Sequence, residues 1–487
     1  MEGVKGEIWF ENNIIYTPNF EGEPDPRGIG CVYFDCMSKS RDRLAQIDGL
    51  TGEEDTYGSL LQRCVRTSIA LKEMGLKYGD IISSCTYNHL NSCVPNISGF
   101  FIGAKIAALD PSLSVSEACH LFRQVMPKVM FTGVESVRLI ENVIKEVGAD
   151  TKIVVFGPTD THTPFSDMIQ PQTGESSFRP VEVRNIRDIA VIMFSSGTTG
   201  LPKGICHTHY SILSMPGDLI IMLGVTYALT LCQTPKPESL DVSNLRHIIL
   251  TGSPLTEDQL DVIKTTFPGV LVSQKYGQSE VFSYLTSFDV ANPKHLELMN
   301  RKESSCGLPT RGTYYKVVDP DSEELLGANE KGELRVKSEA QLCGYYNMDS
   351  SGIWDTDGWL KTGDYGYYDE DFCFYITDRV KEMFRYRYKH ITPTLIESVL
   401  RSHPSIMQAV VIGIPHYLDN YHPMAVVILN ADTINTTAEE IEKYVEERVE
   451  DPLRLRAGVK FVKSFPLTPS RKVHRLKLKN LILSNQI

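Results

Sequence analysis

No hydrophobic run in the sequence is long enough to cross a membrane. The longest apolar stretch extends from Leu219 to Cys232 and is interrupted by Gly224, Thr226 and Thr230, whereas a membrane-spanning helix needs about 20 mainly apolar residues. The N-terminal segment has no apolar signal-peptide core, and the chain does not end in the peroxisomal signal Ser-Lys-Leu. We therefore expect a cytoplasmic or peroxisomal protein without a transmembrane segment.

Positive charge and paired cysteines are also scarce. Lys and Arg number 49 against 61 Asp and Glu, for a net charge of −12. Because nucleic-acid-binding proteins usually present a basic face, we expect no nucleic-acid partner. The 11 cysteines form no Cys-x-x-Cys pair, and an odd number cannot all be paired in disulfides. Reduced thiols are the expected state, and no sequence feature indicates an oligomeric state.

The first part of the 487-residue chain alternates helical and strand patterns. Predicted helices are Tyr57–Met74, Ser116–Val125 and Leu139–Val147, predicted strands are Ile81-Ile82, Val129–Thr132 and Lys152–Phe156, and Cys93–Ala107 is an amphipathic stretch. This alternation predicts an α/β fold of parallel βαβ units. Such sheets bind ligands beyond the carboxyl ends of their strands.

The second part of the chain has a different pattern. Short strands separated by turn residues run from Thr313 to Val336 and predict a small β subdomain. Helices are expected at Thr394–Ser402 and Ala438–Val449. We place a domain boundary near Asp378. The predicted domains are a large N-terminal domain at residues 1–378, shortened near residues 214–225, and a small α+β domain at residues 379–487.

A loop of glycines and hydroxyls follows the predicted strand Ala190–Phe194. Its sequence, from Ser195 to Gly204, is Ser-Ser-Gly-Thr-Thr-Gly-Leu-Pro-Lys-Gly. Small residues let backbone N–H groups approach a polyphosphate, and Lys203 adds a positive charge. The loop lacks the Gly-Lys-Ser/Thr of a Walker A motif. By composition alone, a flexible surface turn is the alternative.

This loop resembles the phosphate loop of the adenylate-forming superfamily, which includes acyl-CoA synthetases, 4-coumarate–CoA ligases and beetle luciferases. The resemblance extends from about Tyr57 to Leu478. Further segments similar to family motifs occur in the family's order: Thr251–Leu255, Tyr276–Glu280, Trp359–Asp364, Asp378–Glu382 and Pro469–Val473.

The resemblance implies a role for each motif position. It implies nucleotide contacts for Ser195, Ser196, Gly197, Thr198, Thr199, Gly200, Lys203, Gly252, Ser253, Pro254, Tyr276, Gly277, Gln278, Ser279, Asp364 and Arg379. It implies catalytic roles for Lys472, Glu280 and Lys203, with Glu280 the candidate ligand of Mg²⁺. Lys275 and Gly252 would border the acyl pocket, and Arg385 and Tyr388 would lie on the CoA side.

The implied activity is ATP-dependent activation of a small-molecule carboxylic acid, a fatty or an aryl acid, followed by transfer to CoA. Attack of a carboxylate on the α-phosphorus builds negative charge, so catalysis depends on positioning and charge stabilisation. Read without the resemblance, Glu280 is a solvated surface residue, Asp364 lies in a plain turn, and Lys472 is one cation of a solvated tail.

Four departures from the family pattern bear on this activity. Several tens of residues are absent between Ser214 and Val225, before the segment Asp241–Arg246, and their loss would uncover apolar neighbours at about 1.5–3 kcal/mol for each large side chain. Lys275 replaces a pocket glycine and is expected to narrow the pocket. Tyr388 also replaces a glycine, so adenylation is the better supported half-reaction. Arg471 replaces a third glycine, directly before Lys472, and is expected to restrict that loop.

Two alternatives remain beside an active acyl-CoA ligase. The first is a catalytically impaired nucleotide-binding relative or splice isoform of such an enzyme. The lesser one is a luciferin-type monooxygenase.

Overall fold

The computed structural model describes residues 8–19, 23–48, 51–194, 202–214, 222–224, 228, 232, 245, 247–253, 255, 257–430, 436–468 and 473–486. Its helices are α1 (Ile29–Lys39), α2 (Tyr57–Glu73), α3 (Val94–Ile102), α4 (Val115–Val125), α5 (Val137–Val147), α6 (Phe165–Met168), α7 (His209–Leu213), α8 (Glu257–Thr266), α9 (Pro293–Arg301), α10 (Pro393–Arg401), α11 (Ala438–Glu446) and α12 (Arg475–Leu483). Within these residues, no helix is both long and apolar enough to cross a bilayer.

The strands group into several sheets. They are β1 (Trp9–Glu11), β2 (Ile14–Tyr16), β3 (Leu44–Ile47), β4 (Glu54–Thr56), β5 (Ile81–Cys85), β6 (Lys105–Ala108), β7 (Val129–Gly133), β8 (Lys152–Phe156), β9 (Thr163–Pro164), β10 (Ile189–Phe194), β11 (Gly204–Thr208), β12 (Met222–Gly224), β13 (His247–Thr251), β14 (Leu271–Gln274), β15 (Tyr276–Gly277), β16 (Tyr284–Ser287), β17 (Leu308–Pro309), β18 (Thr313–Val318), β19 (Leu325–Leu326), β20 (Gly332–Ser338), β21 (Leu360–Tyr368), β22 (Phe374–Arg379), β23 (Phe384–Tyr386), β24 (Lys389–Ile391), β25 (Ile406–His416), β26 (Asn420–Leu429) and β27 (Val459–Phe461).

A mainly parallel sheet organises the first part of the chain. Its strand order is β11-β10-β6-β5-β7-β8-β9, and every neighbouring pair is parallel except β10 with β11. Strands β5 and β7 are completely buried because helices cover both faces. One core includes residues of α1, α2 and α3, and the other includes residues of α4 and α5. The predicted parallel βαβ architecture is therefore confirmed.

The amphipathic stretch Cys93–Ala107 combines two elements. Helix α3 ends at Gly103, whose φ of 74° is the left-handed conformation that glycine adopts at low cost. The chain then enters β6, where Ile106 and Ala107 are buried between β5 and β10. Apolar residues on both elements hide the change from helical to strand periodicity, so sequence alone does not separate them.

Two smaller sheets and one large antiparallel sheet follow. Strands β12, β13 and β14 are parallel, and β15, β16 and β17 are antiparallel. The large sheet has the order β1-β2-β18-β20-β21-β22, with β19 beside β18. It confirms the short strands predicted between Thr313 and Val336. Its first two strands come from the N-terminus, which the sequence pattern does not indicate.

The C-terminal part is an α+β layer structure, as predicted. Strands β24, β23, β26 and β25 form one sheet, and β27 pairs with β26. Along β25, Ala409 and Val411 face a core shared with α10 and α11, whereas Val410 and Ile412 face a core shared with α12. The predicted helices are confirmed, although α11 ends at Glu446, three residues earlier than expected.

Candidate active site

The flank of the predicted phosphate loop is anchored to the parallel sheet. The Pro202 carbonyl accepts a hydrogen bond of 3.2 Å from the Gln124 side chain of α4. The Gly204 N–H donates to the same side chain at 3.2 Å. These two bonds fix the residues on either side of Lys203. The predicted phosphate contacts Ser195, Ser196, Gly197, Thr198, Thr199 and Gly200 lie outside the described residues, as does Lys472.

Lys203 and Glu280 meet through Tyr345. The exposed Lys203 ammonium lies 4.8 Å from the centroid of the Tyr345 ring, a cation–π distance. The Tyr345 hydroxyl lies close enough to the Glu280 carboxylate for each group to shift the pKa of the other. Two predicted catalytic residues that are far apart in sequence therefore lie in one cluster. Tyr345 is a site residue that sequence reasoning missed, because a tyrosine in Gly-Tyr-Tyr carries no signal of its own.

Glu280 lies at the inner end of this cluster. Its side chain is half-buried, and burial raises the pKa of its carboxyl group, against the lowering effect of Arg379 and Tyr345. Its backbone carbonyl accepts a hydrogen bond of 2.7 Å from Leu342 N–H, which fixes its position. The half-buried Glu280 carboxylate offers the hard oxygen ligand that Mg²⁺ prefers. The donor type therefore fits the predicted metal role.

Asp364 is buried and held from two sides. The Tyr276 hydroxyl donates a 2.6 Å hydrogen bond to one of its carboxylate oxygens. Arg379 Nε lies 3.1 Å from the other oxygen, and Arg379 pairs with Asp364 across β21 and β22. The Asp364 carboxylate is therefore fixed by a tyrosine hydroxyl and a guanidinium. Asp364 lies inside a long strand, so the plain-turn alternative is wrong.

The segment between Tyr276 and Glu280 contains an unsatisfied donor. Gln278 Nε2 is buried and has no hydrogen-bond partner among the described residues. Buried polar groups are nearly always paired, so this amide is suited to a ligand atom. Gly277 pairs with Tyr284 across β15 and β16. The backbone carbonyl of the exposed Ser279 accepts a 2.7 Å hydrogen bond from His207 Nε2.

His207 is a second residue that sequence reasoning missed as part of the site. It is fully buried against Phe282, with ring centroids 4.9 Å apart. Burial lowers its pKa to about 4, so the imidazole is neutral at physiological pH. A neutral ring with Nε2 protonated donates to Ser279 and holds the turn before Glu280. The sequence signal was its place in His-Thr-His directly after the phosphate loop.

The predicted adenine and acyl positions lie at the end of β13. Gly252 and Ser253 are exposed, Gly252 has a φ of 90°, and Pro254 lies outside the described residues. Lys275 is half-buried, with its ammonium 4.8 Å from the Tyr284 ring centroid. The charge of this partly exposed lysine therefore lies on an aromatic face, which is a favourable position for an ammonium group.

Comparison with protein families agrees with this arrangement of motifs. A model of the AMP-binding enzyme family matches residues 34–222 and 218–346, and a model of the AMP-binding enzyme C-terminal domain matches residues 395–472. The chain belongs to the AMP-binding enzyme family.

Relatives of this AMP-binding enzyme include a luciferin 4-monooxygenase from Luciola mingrelica, which is 27% identical with 99% of both chains covered. The 4-coumarate–CoA ligase CCL1 from Humulus lupulus is 26% identical, with 97% of this chain and 96% of the relative covered. The solved structure of the luciferase-like enzyme from the nonluminescent Zophobas morio mealworm is 34% identical. It has a TM-score of 0.71 and covers 76% of this chain and 100% of that chain. The predicted adenylate-forming superfamily is confirmed.

Ion pairs join the segment that follows β22 to α12, the C-terminal helix of the AMP-binding enzyme. Arg475, the first residue of α12, donates to both carboxylate oxygens of Glu397 at 2.6 and 2.9 Å. Its Nε lies 2.9 Å from a carboxylate oxygen of Glu382. Burial raises the pKa of Glu382 and also that of Asp378, which accepts bonds from Thr394. Sequence reasoning counted Arg475 only among the cations of a solvated tail.

The two predicted CoA-side residues lie on the β23–β24 hairpin. Arg385 and His390 both contact Asp321 of the large antiparallel sheet region, His390 at 2.8 Å. Tyr388 is 91% exposed at the turn of the hairpin. The left-handed position of this turn is occupied by Arg387, with a φ of 56°, and not by Tyr388. The glycine-to-tyrosine change at 388 therefore carries no backbone strain.

Proposed function

We propose that the chain joins a carboxylic acid to AMP at the cluster formed by Lys203, Tyr345, Glu280, Asp364 and Arg379. The observation that carries the proposal is the convergence of these side chains from separate segments. Arg379 is close enough to Asp364 and Glu280 for both to affect its pKa. Arg379 therefore lies near both Asp364, the proposed ribose ligand, and Glu280, the proposed metal ligand.

In the proposed reaction, a carboxylate oxygen of the acid attacks the α-phosphorus of ATP. The bond from this phosphorus to the bridging oxygen breaks, and pyrophosphate leaves with the bonding electrons. Lys203 and Lys472 would stabilise the negative charge on the phosphate oxygens, and Asp364 would accept the ribose hydroxyls. Mg²⁺ held at Glu280 would neutralise phosphate charge.

Further positions fit the same binding mode. Gly252, Ser253 and Pro254 would border adenine, Gly277 and Ser279 would line the nucleotide beside Tyr276, and Gln278 Nε2 would donate to the ligand. Lys275 narrows the acyl pocket, which favours a small or flat acid. The proposed class of substrate is an aryl or a fatty acid, and similarity to a 4-coumarate–CoA ligase supports the aryl choice.

Transfer of the acyl group to CoA is the proposed second half-reaction. The thiol would attack the acyl carbonyl, and AMP would leave. Arg385 and Tyr388 lie on a hairpin with its turn in solvent, where a CoA chain could approach. Arg385 would first have to leave Asp321 if it is to contact CoA.

A catalytically impaired nucleotide-binding relative or isoform is the second candidate. The family model matches in two pieces that meet at residues 218–222, within the predicted junction. The alignment with the Luciola relative runs over 553 positions, more than the 487 residues of this chain, so it includes positions that the chain lacks. Loss of residues that form the wall of the acyl pocket would reduce turnover but leave nucleotide binding intact.

Exchange of labelled pyrophosphate into ATP, measured with a panel of aryl and fatty acids, separates the candidates. We expect acid-dependent exchange that is lost in Lys472→Ala and retained in Lys463→Ala, an exposed lysine of the same domain. Folded protein that exchanges with no acid but is stabilised by ATP would support the impaired relative instead. Light emission with luciferin, ATP and oxygen would favour the luciferin-type monooxygenase.

A further inference from the structure

The turn between β25 and β26 brings together three side chains that can bind a metal ion. His416 ends β25, Asp419 lies in the turn, and His422 follows in β26. The register pairs His416 with Asn420 and Ile414 with His422, so both imidazoles project from the same face of the hairpin. One ligand atom of each of the three residues lies within 4.8 Å of the other two.

The distances are close to those of a coordination sphere. His422 Nε2 lies 2.9 Å and His416 Nδ1 lies 3.6 Å from the same oxygen of Asp419, Oδ2. A tetrahedral zinc ion with bonds of about 2.0–2.1 Å places its ligand atoms roughly 3.3 Å apart. The two rings are stacked with centroids 3.8 Å apart.

The surroundings of the cluster match those of a metal ligand set. The Asp419 backbone N–H donates to His416 Nδ1 at 3.3 Å, and a metal ion bound to this nitrogen would replace that long hydrogen bond. Arg387 Nε binds the other oxygen of Asp419, Oδ1, at 2.8 Å and leaves Oδ2 for the cluster. Ligating carboxylates are usually oriented by such an outer hydrogen bond.

We propose that His416, Asp419 and His422 bind a divalent transition-metal ion, with zinc as the best match. Two imidazoles and one carboxylate suit Zn²⁺ and disfavour Mg²⁺, which prefers an all-oxygen sphere. Water completes the coordination, because the neighbouring Tyr417 and Leu418 are 92% and 70% exposed and leave the turn open. The site lies in the C-terminal layer structure and is distinct from the proposed nucleotide site.

A bound metal ion would hold the β25–β26 and β23–β24 hairpins in a fixed arrangement. Asn420 pairs with Tyr386 of β23, and its side chain donates to the Arg387 carbonyl at 2.9 Å. A metal on Asp419 would therefore hold the turn that carries Arg387 and Tyr388. The ordinary alternative is a surface cluster in which Asp419 is satisfied by Arg387 and His422 alone.

Cobalt substitution tests the site on the full chain. Metal-free protein would be titrated with Co²⁺, and the visible absorption of tetrahedral cobalt would be compared between wild type, the double variant His416→Gln/His422→Gln and the control His162→Gln. His162 is a histidine elsewhere on the molecule, bound to Glu141 at 2.8 Å. We expect the double variant to bind one metal equivalent fewer, and the control to bind as wild type.

Arg387→Met supplies a second test, because loss of an outer-sphere partner commonly weakens binding about 10–100-fold. Equal Co²⁺ and Zn²⁺ stoichiometry in wild type and the double variant, with both proteins folded by circular dichroism, would overturn the proposal. A similar loss in His162→Gln would overturn it as well, since binding would then be nonspecific. Titration with Mg²⁺ in place of Co²⁺ is expected to give the same binding result for wild type and for every variant.

Discussion

At the scale of single residues, the site depends on tyrosine hydroxyl groups that lie beside carboxylates. Tyr276 donates to Asp364 and Tyr345 lies near Glu280, and neither contact is visible in the sequence motifs. Burial raises the pKa of Tyr276 well above its usual value, so the phenol stays protonated and remains a donor. Tyr276 therefore holds the Asp364 carboxylate in place.

Tyr276→Phe removes the donor from the buried Asp364 carboxylate. A hydrogen bond to a charged group contributes about 1.5–3 kcal/mol, so we expect a loss of this size in the free energy of unfolding, measured with urea. Tyr368→Phe is the matched control, because the Tyr368 hydroxyl is buried and has no partner among the described residues. This control is expected to be neutral or stabilising. Equal losses in both variants would show that the Tyr276–Asp364 bond contributes little.

Sequence analysis identified the charged residues of the candidate site but not the uncharged side chains that contact this site. Glu280, Asp364 and Arg379 stand in motifs whose order along the chain is itself a signal. Tyr345 and His207 act by contact with residues about 65 to 75 positions away in sequence, and no periodicity encodes such a contact. Tyr388, which replaces a family glycine, lies exposed at the turn of the β23–β24 hairpin.

At the scale of elements, sequence patterns predicted helices α2, α4, α5, α10 and α11 and strands β5, β7, β8 and β10. Other elements were missed for physical reasons. Strand β6 follows α3 after only Gly103 and Ala104, and both elements are mainly apolar. Strands β1 and β2 are short and join a sheet whose other members begin at Thr313. Partners so distant in sequence are chosen by tertiary packing, which the local sequence does not record.

Arg475→Met tests the charge cluster that joins α12 to α10 and to the segment after β22. The change removes the guanidinium from the buried Glu397 and the half-buried Glu382. Loss of one partner of a buried ion pair costs about 3–5 kcal/mol, which is the upper bound here. The expected result is a lower midpoint in urea unfolding. Arg448→Met is the control: its pair with Glu447 is exposed, and such pairs contribute about 0–1 kcal/mol. A control as destabilised as Arg475→Met would contradict the special role of the cluster.

At the scale of the whole molecule, stability should depend on two buried histidines. Burial lowers the pKa of both His207 and His209 to about 4, below the ordinary value of 6.5. Between these values the unfolded chain binds protons that the folded chain does not. Stability is therefore fully present above pH 6.5 and falls as the pH decreases toward 4, by up to about 1.4 kcal/mol per pH unit for each histidine.

The measurement is the free energy of unfolding at pH 5 to 8 for wild type and His207→Gln. We expect the variant to be less stable at pH 8 and to lose stability less steeply below pH 6.5, because one of the two proton-linked groups is gone. The difference between the two curves cancels the carboxyl groups common to both proteins. Parallel curves over the whole range would show that His207 is not linked to folding through its proton.

Arg475 also has a mechanical consequence. Its contacts fasten Glu382, shortly after β22, to the start of α12, three residues beyond Lys472. Any displacement of the segment around Glu382 would therefore be transmitted directly to the start of α12, because Arg475 joins the two.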